Sequence, residues 1–191
     1  MRDKLAGVTS TMTDVQCTAA FKDIARDLIE NYAIQRASKT YRLLEIEFYF
    51  YNPLIDDYRD ESHRKHLTYE RTTPAGHWFF HASGVDLTFA SDQDKGYGGG
   101  ILIRRLIDER GHITRGPLNC RAEMFPPSTD AFVPTAESPR LVAADPINRH
   151  LEWTARRNLP DKQGRPWRCN VLLKAHRVVL STDEPAAACR L

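Results

Sequence analysis

No apolar run in the sequence approaches the ~18 residues a membrane-spanning helix needs. Cysteine is scarce. Cys17, Cys120, Cys169 and Cys189 have no paired spacing, which argues against a zinc ribbon or a disulfide framework and fits a reducing compartment. Arg2 and Lys4 open the chain without an apolar stretch behind them, so no secretory signal is expected and an intracellular location is. Net charge is small, a formal +2 over 191 residues, so bulk electrostatics do not announce a nucleic-acid partner. The Gly96–Gly100 run lacks the Gly-Lys-Ser/Thr ending of a phosphate loop and reads as a hairpin connection. Ser83 lies near His81 and Asp86, but the Gly-x-Ser-x-Gly elbow of a serine hydrolase is absent. His63 and His66 have a helical zinc spacing with no convincing third ligand, so no metal site is expected.

What is present is an ordinary globular composition, 41% hydrophobic and 27% charged, in a chain suited to one domain with a sizeable core. Residues 1–13 read as a loose lead-in. Phe21, Ile24, Ala25, Leu28, Ile29 and Tyr32 recur at helical spacing, with Thr13 or Asp14 as the cap. Strands are expected at 41–51, 78–81, 85–89, 101–107 and 167–173, and a helix after Gly116-Pro117. Residues 52–75 and 125–139 read as surface loops. Strands and helices mix without a βαβ rhythm, which predicts an α+β fold rather than a doubly wound sheet. The expected organisation is an N-terminal helical segment over residues 1–35, an α+β domain over 36–180 and a tail over 181–191.

The strand Tyr41–Tyr51 is the most informative segment. Side chains two apart on a strand share a face, so Leu44, Ile46, Phe48 and Phe50 form one apolar face. Glu45, Glu47, Tyr49 and Tyr51 form the other. Glutamate is depleted in strands, so this pair marks a solvated surface or a polar site. In Ile101–Ile107 the same alternation puts Arg104 on one face and Arg105 on the other, each among apolar neighbours. A guanidinium there needs a carboxylate, a ligand or a route to water; Glu47 is the natural partner. Residues 149–177 hold eight basic side chains against two acidic ones, a net +6 that suits either a phosphate-facing stripe or a solvated face.

Four blocks, in order over about residues 40–173, resemble the alkyladenine (3-methyladenine) DNA glycosylase family. They are Leu44-Glu45-Ile46-Glu47-Phe48-Tyr49, Ile101-Leu102-Ile103-Arg104-Arg105-Leu106, Gly116-Pro117-Leu118, and Pro139-Arg140-Leu141 followed by Pro166-Trp167-Arg168. The resemblance implies a single α+β domain with a curved, mainly antiparallel sheet surrounded by helices. It also implies a monofunctional glycosylase that hydrolyses the N-glycosidic bond of a modified base flipped out of DNA. Glu47 would be the general base, Arg104 would help position the water, and Tyr49 would stack on the base. His66 or His63 would line the pocket wall, and His81 would stand where a stacking tyrosine is usual. Glu45 and Trp78 complete the expected base pocket. Arg105, Arg140, Arg156, Arg157, Arg165 and Arg168 are the expected DNA contacts. The partner would be DNA, double- or single-stranded, with no cofactor, no metal, no membrane and a monomeric protein. Two features depart from the family: no aromatic wedge precedes Gly84, and His81 replaces a tyrosine. They leave open a non-catalytic binder of modified bases, or a hydrolase of modified nucleosides.

Overall fold

A computed structural model describes residues 1–55, 73–125, 138–156 and 164–173. Among these residues three helices, α1 (Arg2–Ala6), α2 (Asp14–Asn31) and α3 (Pro117–Met124), accompany nine strands. The strands are β1 (Tyr32–Arg36), β2 (Lys39–Tyr51), β3 (Trp78–His81), β4 (Gly84–Thr88), β5 (Gly98–Asp108), β6 (Ile113–Arg115), β7 (Arg140–Ala143), β8 (Leu151–Thr154) and β9 (Arg168–Val171). All join one curled antiparallel sheet in the order β3-β4-β5-β2-β1-β7, with β6 on β5, β9 on β2 and β8 on β9. The fold is thus mixed, with an antiparallel sheet and few helices. None of the described helices is long and apolar enough to cross a membrane.

Helix α2 begins where the sequence offers a cap. The Thr13 hydroxyl accepts from the Gln16 amide, and the Gln16 side chain accepts from the Thr13 amide, a complete capping box. Its apolar stripe covers one face of β2. Phe21 stacks on Phe48 at 4.6 Å between centroids and on Phe89 at 5.4 Å, with Trp167 edge-on at 5.0 Å. Leu44, Ile46, Phe48 and Phe50 all enter this core. Burying one such side chain contributes about 1.5–3 kcal/mol, so the aromatic cluster fixes which face of β2 is inward and leaves the glutamates on the other.

Three features differ from the sequence reading. The lead-in is folded: α1 and the turn after it bury Leu5 and Val8 in the core. A five-residue helix is too short for periodicity to reveal. The glycine run is not a loose connection, since Gly98, Gly99 and Gly100 open β5 and pair with Tyr51, Phe50 and Tyr49. A Cβ on Gly99 would collide with the Tyr49 carbonyl oxygen, so only glycine lets the two strands approach there. Helices α1 and α2 pack into the same core as the sheet, and Tyr32–Arg36 forms β1, which pairs with β2.

The third difference shapes the site. Leu43 faces Leu106, Glu45 faces Arg105 and Ile46 faces Ile103, so Leu44 on β2 and Arg104 on β5 have no opposite residue. These bulges shift the alternation of β5. Ile101, Ile103 and Leu106 take the core positions, and Arg104 and Arg105 both turn toward Glu45 rather than to opposite faces.

Candidate functional site

Two cross-strand rows build the polar face of the sheet. The first runs Phe79, Asp86, Leu102, Glu47, Arg168, Thr154 through β3, β4, β5, β2, β9 and β8. The second runs Arg115, Arg105, Glu45, Asn170, Glu152 through β6, β5, β2, β9 and β8. Opposite residues of an antiparallel pair share a face, so these rows put two carboxylates between arginines supplied by both flanking strands.

Glu47 is completely buried. Arg104 Nη1 donates to its Oε2 at 2.9 Å, and the Tyr49 hydroxyl donates to the same oxygen at 2.9 Å. Arg168 Nε lies 3.6 Å from Oε1. Glu45 accepts from Arg104 Nε at 3.1 Å and from Arg168 Nε at 3.0 Å, with Arg105 Nε at 3.8 Å. Arg104, expected to need a carboxylate, thus has two. A buried charge persists only when paired in this way.

Burial pushes the Glu45 carboxyl up, but the Arg168 hydrogen bond and the charges of Arg168, Arg104 and Arg105 outweigh it and hold the group below its ordinary value. A lowered folded value makes the ionised form a source of stability above the ordinary carboxylate range. That stability is lost as pH falls through the folded value. Urea midpoints should therefore drop as pH falls below the ordinary carboxylate range, and Glu45→Gln should flatten that drop. Burial first, and then the Glu47 charge, raise the Tyr49 phenol well above its usual value, so it stays protonated and donates. Tyr49→Phe should cost about 1 kcal/mol in denaturant unfolding, since Arg104 still satisfies the same oxygen. Burial also pushes the Cys120 and Cys169 thiols up to about 12, so neither supplies a thiolate at neutral pH.

His81 sits at the β3–β4 turn in the same region. Its Nε2 is 3.1 Å from Asp86 Oδ1, and its Nδ1 accepts the Ser83 amide at 3.2 Å. Both ring nitrogens are engaged, and Phe79 stacks on the ring at 6.2 Å. Asp86 is two strands from Glu47 across Leu102, about 10 Å at the usual strand spacing.

The other expected site residues are dispersed. Arg156 is buried, its guanidinium 5.0 Å from the Tyr49 ring centroid and 5.2 Å from that of Trp167, donating to the Phe48 carbonyl. Arg165 is buried against Trp167 and pairs with Asp14 at 3.0 Å. Arg168 also turns onto Glu45, so three of the four described arginines of the basic window meet aromatic planes or carboxylates, while Arg157, Lys162, Lys174 and Arg177 lie outside the described residues. Aromatic planes and carboxylates draw these arginines inward. Trp78 has the opposite orientation to Asp86 and Glu47, in register with Leu87, Ile101 and Phe48. It lines a separate cavity of about 400 Å³ with Arg140 and Tyr32. His63, His66 and Arg157 lie outside the described residues. Sequence reasoning missed Thr154, Asn170 and Arg115, which the β8, β9 and β6 pairings bring to the polar face. Only the alternation Arg168-Cys169-Asn170-Val171 hinted at one of them.

Among the described residues no three His, Cys, Asp or Glu side chains gather as a metal site. Comparison with known proteins gives no match to a family model and none to a curated protein.

Proposed function

We propose that this protein is a monofunctional DNA glycosylase with an alkyladenine-glycosylase-like fold, acting on an alkylated or otherwise modified base. The observation that carries the reading is the Glu47 carboxylate on the central strand, held by Arg104 and Tyr49 on the polar face of a curled antiparallel sheet. In the proposed reaction Glu47 accepts a proton from a water. The water oxygen forms the new bond to the sugar C1′ atom, and the C1′–N bond breaks with its electron pair leaving on the base. A base alkylated on a ring nitrogen is cationic and leaves neutral. Arg104 fixes the orientation of the carboxylate. No lysine neighbours Glu47 on β2, so a Schiff-base step is not part of the proposal.

One observation favours a second reading, a non-catalytic binder of modified bases. Arg156 covers the Tyr49 ring, and Glu47 has no exposed surface. Base stacking on Tyr49 would require Arg156 to withdraw. Incubation with duplex DNA treated with a methylating agent separates the two. The glycosylase releases free modified bases, seen by chromatography, and leaves alkali-labile sites. The binder retains lesion-bearing DNA and releases nothing.

A further inference from the structure

We infer that the cavity between β6, β5, β9 and β8 is a phosphate-binding pocket. It measures about 360 Å³, at the small end of the ~300–1,000 Å³ of ligand sites. Arg105, Arg115 and Arg168 line it together with Thr154 and Asn170, and Glu152 is its one acidic wall residue. Two of the three guanidiniums are anchored from behind. Arg168 Nη2 lies 2.9 Å from Glu45 Oε1 and Arg105 Nε 3.8 Å from Glu45 Oε2, which fixes both without cost at the moment of binding. The exposed Arg115 side chain has no partner among the described residues and stands in register with Arg105.

The lining chemistry points to an anion. Three guanidiniums, those of Arg105, Arg115 and Arg168, line the cavity against one wall carboxylate, Glu152, with Glu45 behind them. Converging guanidiniums suit a phosphate, which carries one charge as a diester and about two as a monoester. Arginine forks engage phosphate oxygens in pairs, while the Thr154 hydroxyl and Asn170 amide can donate to the remaining oxygen. The exposed Leu172 and Leu173 form an apolar lip suited to the sugar or base attached to that phosphate.

Arg168 belongs to both places: it lines the pocket and its Nε lies 3.6 Å from Glu47 Oε1. A phosphate seated here is one side chain from the carboxylate. Phosphate binding stands on this geometry alone. That the phosphate neighbours the nucleotide whose base is excised rests on the glycosylase reading.

The test is isothermal titration of the whole protein with adenosine, with adenosine monophosphate, and with a short oligothymidylate lacking terminal phosphates. The pocket predicts saturable binding of a phosphate-bearing probe and none of adenosine. Arg115→Gln, at an exposed position, should weaken that binding about tenfold, and Thr154→Val should weaken it less. Tighter binding of the oligonucleotide identifies a backbone diester as the source, and tighter binding of the mononucleotide identifies a terminal phosphate. No saturable binding of either, or equal affinity in wild type and both variants, overturns the proposal. Neither readout involves base release. A protein that binds phosphate but releases no base keeps the pocket and loses the glycosylase reading, and the reverse result does the opposite.

Discussion

Replacing Arg104 with alanine should destabilise the fold by about 3–5 kcal/mol, a large part of the ~5–15 kcal/mol that holds a typical domain together. The substitution removes the 2.9 Å donor to Glu47 Oε2 and the 3.1 Å donor to Glu45 Oε1 in one step. Glu47 then keeps the Tyr49 hydroxyl and the more distant Arg168 beside it but loses its 2.9 Å guanidinium donor, in a fully buried position. The two carboxylates, two residues apart on one face of β2, also lose the charge that separates them. Urea unfolding measures the loss. The same substitution in a Glu47→Gln background should cost markedly less, because the stranded charge is gone; the difference isolates the pair itself. Arg140→Ala offers the comparison. Its bond to Gln35 is exposed, and its removal should change stability by at most about 0.5 kcal/mol.

Much of this arrangement is legible in the sequence because β2 obeys strict alternation through its second half. From Leu44 to Phe50 every apolar residue meets α2 or its neighbours and every polar one meets the arginines. The helix from Asp14 is equally plain, but of its two candidate caps the structure uses Thr13, and Tyr32, which fits the helical spacing, begins β1. Legibility fails where the backbone breaks period. The bulges at Leu44 and Arg104 cannot be read from residue types, yet they decide that Arg104 and Arg105 converge on Glu45. The glycine run looks like a turn to any rule based on composition. It is a strand because Gly99 lets β5 press against the Tyr49 carbonyl.

The basic window shows a different limit. Counting charges over 149–177 finds the surplus but not its direction. Arg156 and Arg165 turn their guanidiniums onto Tyr49, Trp167 and Asp14, and Tyr49 and Asp14 lie over a hundred positions away from them. The Asp86 partner of His81 is local and was within reach of spacing, since the two lie five apart across a tight hairpin. Thr154 and Arg115 were not, because β6 and β8 are three- and four-residue strands whose place follows only from the strands they pair with.

The second large effect concerns chemistry. Glu47→Gln keeps the side-chain length and an oxygen to accept from Tyr49, but removes the carboxylate proposed to take the proton of the attacking water. Loss of a positioned general base typically removes a factor of about 10²–10⁴ in rate. The direct test of the central claim is single-turnover base release from methylated duplex DNA, comparing wild type with Glu47→Gln after both are shown folded by their thermal unfolding. The account predicts release by the wild type and a loss of at least about a hundredfold in the variant. A folded Glu47→Gln protein that releases base as fast as wild type would contradict it.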